Sequence, residues 1–328
     1  MDGKTPVYHA AVRGVNEILR MLLENQADLH LQDENGLTPL HGAAGYNSIE
    51  TVDIILNTTA GRKLLNTVTK DGLTPLHIAV ATNQSNIVET LLDYKELDIN
   101  KQDKEGWTAV YFASSLGLDK ILNKLIEKRA KVDIPANNGL LPLTKAVLKD
   151  HIEVINILLT TKEGKLSLNS TSPEIQSTVL QIAVFQNKTN IVKLLVEHNE
   201  TDVNQPNEFG HTPLYFAALN GNTEILKILI QSGAFIHAES IDGTTALHTT
   251  CYHGHMETAK ILLANNAIID KQDKYLRTPL FFAVGMGHED LVWFLLEKGA
   301  KLSNIRLNPL VKPRSKGLDT FVNSLLGT

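Results

Sequence analysis

The chain has 328 residues, 43% of them hydrophobic and 20% charged, with a formal net charge of −5. That balance supplies enough apolar surface to fold, excludes a disordered chain and leaves no global positive field for nucleic-acid backbones. Cys251 is the only cysteine, which excludes an internal disulfide and a multi-cysteine zinc site and points to a reducing compartment.

At the N-terminus Met1 is followed by Asp2, Gly3 and Lys4, without the basic and apolar regions of a secretory leader. No window approaches the run of about 20 apolar residues that a spanning helix needs. The expectation is an intracellular, cytoplasmic protein without membrane insertion, with the nucleus or a host cytosol as alternatives. Five Asn-x-Ser/Thr matches, at Asn57, Asn83, Asn169, Asn187 and Asn199, are read as chance.

Along the chain, Asn35-Gly36-Leu37-Thr38-Pro39-Leu40-His41 returns at residues 71–77 and again at residues 242–248. With the threonine or its substitute as marker, the copies start at Thr5, Thr38, Thr74, Thr108, Leu141, Thr178, Thr212, Thr245 and Thr278. The steps are 33, 36, 34, 33, 37, 34, 33 and 33 residues. In the third copy Asp71-Gly72 predicts a tight turn in which a positive φ is cheap. Thr74 predicts a helix cap, with Pro75 in the first helical position where its missing N–H costs nothing. Leu76, Ile78, Ala79 and Val80 make a first helix, and Asn83 ends it where other copies have Gly14, Gly117, Gly221, Gly254 and Gly287. Ile87, Val88, Leu91 and Leu92 repeat at helical spacing and predict a second helix. One such pair cannot bury its own apolar faces, so each copy must lend surface to the next.

Motif and period together resemble the ankyrin repeat, a unit of about 33 residues with a T-P-L-H-x-A signature. The resemblance covers nearly the whole chain. It implies an all-α solenoid of stacked helix-turn-helix layers with β-hairpin finger loops, with about nine repeats over residues 1–302. Residues 303–328 are expected to form a degenerate capping repeat, because Gly317 precedes Leu325 and Leu326 at the spacing of Gly287 from Leu295 and Leu296.

Departures fall in particular copies. Leu141 and Thr144 replace the threonine and histidine of the fifth, and Val179 and Gln181 replace the proline and histidine of the sixth. Gln176 and Leu276 stand where a finger glycine belongs. Weaker capping is expected in the fifth and sixth layers, and less regular fingers in the sixth and ninth. The second and fifth copies carry extra residues, at 58–66 and 161–169, read as insertions with a paired contact site as the alternative.

His9, His41, His77 and His248 are assigned to the signature histidine, which the family uses for hydrogen bonds between layers. His151, His255 and His288 beside the turn are given a similar local role. Asp71, Asp103, Asp242 and Asp273 are read as acceptors at the finger turns. Cys251, His253 and His255 cluster locally but lack a fourth ligand, so no metal is assigned, and Cys251 is read as a packed thiol. No phosphate-binding loop, metalloprotease, nucleophile-elbow or kinase segment occurs. Neither a cofactor nor a catalytic residue is therefore assigned, and the chain is expected not to be an enzyme.

The resemblance also implies a partner protein along the concave side, on the finger tips and the exposed ends of the first helices. In this sequence the finger places hold Trp107, Phe209, His211, Tyr275 and Arg277. The helix ends hold Tyr46, Leu116, Leu148, Phe185, Leu219, Tyr252, His253 and Met286. Large rings and arginine at solvent-facing places suit interface centres. Phe112, Phe216 and Phe282 are read instead as layer-facing core. The expected function is a non-catalytic protein-protein interaction scaffold, monomeric alone and without nucleic-acid partners. The alternative is the recognition arm of a larger enzyme or host-directed effector.

Overall fold

A computed structural model describes residues 3–302. The capping repeat expected at 303–328 lies outside them. The chain divides into two compact units, Met1–Ser167 with Ser172–Ile175, and Leu168–Thr171 with Gln176–Thr328.

The first unit holds five helix pairs among the described residues. They are α1 (Pro6–Arg13) with α2 (Asn16–Glu24), α3 (Pro39–Gly45) with α4 (Ile49–Leu56) and its appended α5 (Thr59–Arg62), α6 (Pro75–Ala81) with α7 (Ser85–Leu92), α8 (Ala109–Leu116) with α9 (Asp119–Glu127), and α10 (Pro142–Lys149) with α11 (Ile152–Leu159) and its appended α12 (Lys162–Leu166). The second unit holds four pairs: α13 (Val179–Phe185) with α14 (Thr189–Val196), α15 (Pro213–Asn220) with α16 (Thr223–Gln231), α17 (Ala246–His253) with α18 (Met256–Ala264), and α19 (Pro279–Met286) with α20 (Glu289–Glu297). The fold is all-α, and no β-strand occurs among the described residues.

In each unit first helices pack on first helices and second on second, as α6 on α8 and α15 on α17, or α7 on α9 and α14 on α16. Small residues make the close approach workable: Ala43, Ala79, Ala113 and Ala217 are fully buried. Behind them Val52, Ile87, Leu122 and Leu226 are also fully buried. Each such aliphatic side chain contributes roughly 1.5–3 kcal/mol.

The marker threonines cap their helices. Thr38 and Thr74 accept from the N–H groups of His41 and His77, whose Nδ1 atoms accept from the threonine N–H in return, both at 3.1 Å. His41 Nε2 donates to the Leu73 carbonyl of the next layer at 3.0 Å, and His248 Nε2 to that of Arg277 at 3.2 Å. Burial pulls the His41 and His77 rings down to about 4. His9 does not share this role: Tyr8 occupies the signature place and is buried, while His9 lies one residue on and is exposed. His151, His255 and His288 donate backwards, to the carbonyls of Ser115, Leu219 and Tyr252 at 3.0–3.2 Å.

The expected weak caps separate. Leu141 gives α10 no side-chain cap. The sixth copy, in contrast, is fully capped. Gln181 Oε1 accepts from Thr178 N–H at 2.8 Å, and its Nε2 donates to the carbonyls of Gln205 and His211, both at 2.9 Å. A glutamine amide carries an acceptor and a donor, so it does the work of both histidine nitrogens.

At the fingers the acceptor is the residue five before the marker. Asp103 Oδ1 takes the N–H groups of Glu105 and Trp107, and Asp273 Oδ1 those of Tyr275 and Arg277, at 2.7–2.9 Å. Asp33 does the same in the second copy, whereas Asp71 and Asp242 stand two residues further on and act through their main chain. Their carbonyls accept from the next finger, from Lys104 at 3.0 Å and Lys274 at 2.9 Å. Leu276 keeps the ninth finger regular: it adopts φ 63° and its N–H still closes onto the Asp273 carbonyl at 3.0 Å. The irregularity expected there becomes strain on one leucine. Gln176 is left-handed as well, at φ 52°.

The extra residues of the second and fifth copies fold alike. Thr58 Oγ1 accepts from Gly61 N–H at 2.9 Å, and Thr161 Oγ1 from Gly164 N–H at 3.0 Å. A side chain on either glycine would collide with the backbone of the preceding helix, at the carbonyls of Ile55 and Leu158. Among the described residues no helix is long and apolar enough to cross a membrane, and no cluster of three or more His, Cys, Asp or Glu is placed to hold a metal. Cys251 is fully buried, and burial raises its thiol pKa.

Candidate protein-interaction site

In the first unit two of the expected residues stand free: Tyr46 at the end of α3 is 67% exposed and Leu116 at the end of α8 is 47% exposed. Trp107 and Leu148 do not. Both are half-buried against a small apolar cluster of Tyr111, Ala136 and Leu140. The Trp107 ring lies 4.9 Å from that of Tyr111 and 5.1 Å from that of Phe112, with Lys145 Nζ 5.2 Å above it. Burial lowers the Lys145 pKa, the neighbouring Lys149 lowers it further, and Glu174 opposes both. Trp107 is thus a half-buried, packed ring, and the solvent-facing place expected for it is corrected.

The second unit contains a cleft of about 550 Å³ between the fingers and first helices of the seventh, eighth and ninth copies. Its shape follows from comparing equivalent positions. One residue before the marker stand His211, Thr244 and Arg277; four after it stand Phe216, Thr249 and Phe282. In both ranks the middle copy is small and its neighbours are large, which leaves a hollow over Thr249. On one side His211 stacks on Tyr215, with centroids 3.9 Å apart and planes at 6°. On the other, Arg277 lies 4.7 Å over the Phe282 ring and 4.7 Å over that of Tyr275. Tyr252, 44% exposed at the end of α17, meets Phe282 edge-on at 6.1 Å.

The electrostatics of the cleft are simple. Burial lowers the pKa values of His211, His248 and His253, so their rings are neutral near pH 7. Asp242 stands at the exposed rim. Arg277 is the one lysine or arginine among the described lining residues. Its Nε donates to Asp273 Oδ2 at 2.7 Å, while no hydrogen bond or ion pair holds its two terminal nitrogens among the described residues.

A family model for ankyrin repeats in sets of three copies matches residues 1–64, 57–136, 95–171, 143–240 and 235–305. The chain belongs to the ankyrin-repeat family. It is 30% identical over 235 residues to the Homo sapiens transient receptor potential cation channel subfamily A member 1, covering 70% of this chain and 18% of that protein. It is 29% identical over 230 residues to the nuclear factor NF-kappa-B p105 subunit of Gallus gallus, covering 68% and 23%. The Escherichia coli ankyrin repeat protein YahD is 30% identical over 209 residues, covering 62% of this chain and 86% of YahD. The chain therefore spans less than a quarter of the length of the first two relatives. Ankyrin repeats serve generally as protein-protein interaction modules.

In this ankyrin-repeat chain, five of the residues expected to meet a partner line one cleft: Phe209, His211, Tyr252, His253 and Arg277. Tyr275 is 64% exposed beside it, stacked under Arg277. Phe185, 57% exposed, meets Phe216 edge-on at 5.9 Å, and Leu219 and Met286 are half-buried. Phe112, Phe216 and Phe282 are not core; all three are half-buried. That signal was available, because residues four apart share a helix face, and Phe112 and Phe282 precede Leu116 and Met286 by four. Tyr215 was also missed.

Proposed function

We propose that the chain is a non-catalytic scaffold that binds a partner protein on the side formed by its fingers and the ends of its first helices. The cleft of the second unit is its main contact. The observation that supports this is the grouping of Phe209, Tyr252 and Arg277 around one concave site. Phe209 is 55% exposed and Tyr252 44%, more than packing demands. Aromatic and arginine side chains in a concavity are the usual anchors of protein interfaces, and losing a true anchor costs about 2 kcal/mol of binding or more.

The test is a Phe209→Ala, Tyr252→Ala double variant. It is expected to melt like the parent and to lose a partner that the parent retains in affinity capture from cell extract. Lys193→Ala, on an exposed outer ion pair with Glu224, should change neither property. Retention of the partner by the double variant at parental affinity would remove this face as the docking surface.

A further inference from the structure

The cleft is selective in shape and in charge, and the two requirements lie side by side. Its hollow is one layer wide, about 8–10 Å from helix to helix, because Thr244 and Thr249 are flanked by His211 and Tyr215 on one side and Arg277 and Phe282 on the other. That width admits one large side chain between ring walls. The hydroxyls of Ser240 and Thr244 are bonded to each other at 2.6 Å, which uses one of their two O–H donors and leaves the other for a guest or water.

The charge sits at one wall. Arg277 is clamped through Nε by Asp273, whose other oxygen is held by the finger N–H groups of Tyr275 and Arg277, and its guanidinium is sandwiched near the rings of Tyr275 and Phe282. A guanidinium fixed in this way presents its terminal nitrogens with little ordering left to do, which favours a bidentate carboxylate. A cationic guest would compete with Arg277 for the Phe282 face and be repelled by it. A polyanion would meet Asp242 at the rim and the chain's net charge of −5.

We propose that the cleft takes an extended peptide segment of the partner, with one large apolar side chain over Thr249 and a neighbouring Asp or Glu carboxylate on Arg277. This rests on the docking surface proposed above and adds the chemistry of what docks.

The experiment selects peptides from a displayed random dodecapeptide library on the whole chain, then measures synthetic copies by fluorescence polarisation. Recovered peptides should carry Phe, Tyr, Trp or Leu within two residues of Asp or Glu. Changing that acid to its amide should weaken binding about tenfold, as expected for a charge-assisted bond, and should cost nothing in an Arg277→Gln background. Thr249→Phe fills the hollow and should abolish binding; because Thr249 is only 6% exposed, its melt is read beside that of Thr249→Val, which leaves the hollow open and should keep binding. Arg277→Gln leaves Asp273 unpaired and can lower stability; the peptide substitution on the parent protein and Thr249→Phe do not depend on it.

Basic peptides, or acidic ones indifferent to Arg277, overturn the proposal. Binding that survives Thr249→Phe but is lost in Phe209→Ala, Tyr252→Ala sinks it and leaves the docking surface standing. Binding indifferent to all of these changes overturns both. A library that returns no binder overturns recognition of a short segment, and the capture experiment then decides the broader reading alone.

Discussion

Gly221 lies against the imidazole of His255: a side chain on Gly221 would bring its Cβ within 2.5 Å of His255 Nδ1, while His255 Nε2 donates to the Leu219 carbonyl two residues before that glycine. Gly117 with His151 and Gly254 with His288 repeat the relationship, both at 2.6 Å. The glycine is therefore required twice, for its φ of 65° and for the ring. Gly221→Ala should lose about 1–2 kcal/mol of stability to left-handed strain and a further increment for displacing the ring. Gly233 has φ 88°, and a methyl group on it would meet nothing within 4 Å, so Gly233→Ala should lose stability to the strain alone. Equal losses in urea unfolding would show that the ring contact contributes nothing.

Leu276 is left-handed at φ 63° and 59% exposed, so it carries strain without packing in return. Leu276→Gly is expected to raise stability by about 1 kcal/mol, read as an upward shift of the urea midpoint. A lower midpoint would mean that the leucine makes contacts worth more than its strain.

His41 and His77 give the fold an acid sensitivity whose sign is fixed. Each ring is held neutral, at about 4 against an ordinary 6.5, because burial disfavours its cation. The unfolded chain takes up the proton first, so the stability from these rings is whole above about pH 6.5 and falls as the pH drops towards 4. The loss is up to about 3 kcal/mol per ring. Gln181 fills the same place with the same bonds and no titration. His41→Gln should therefore fold and show a shallower loss between pH 6.5 and 4 than the parent; an unchanged slope would refute the assignment.

Trp107 and Tyr252 should part company on truncation. Trp107 is packed among Tyr111, Phe112 and Lys145, so Trp107→Ala should cost about 2 kcal/mol of folding. Tyr252→Ala should stay within about 0.5 kcal/mol, as for other surface positions. Thermal melts of the two single variants decide it.

The layers were legible because each copy spells its own cap, turn and helix faces within a few residues. Their exceptions were not. Gln181 reads as a missing histidine until its amide is seen bonding at both ends. Trp107 reads as exposed because Lys145, which covers it, comes from the next copy. The cleft is invisible within any one copy; it emerges only when Phe216, Thr249 and Phe282 are compared across three. Each of these depends on a neighbour some 33 residues away, which a local pattern does not contain.

The short helices α5 and α12 show how this array accommodates extra length. Immediately after each, Asn66 and Asn169 accept from the N–H groups of Asp98 and Asp202, both at 2.8 Å. Asn100 and Asn204, in copies without extra residues, bond Lys131 and Phe235 in the same way at 2.8 and 2.7 Å. In the second copy the insert is folded back on its own layer by the threonine and glycine of its cap, and the joint of Asn66 to the following layer matches that of Asn100. Lengthening the second copy at this seam is then mechanically silent for the layer that follows it, so a segment gained or trimmed here leaves the fingers of the first unit in register.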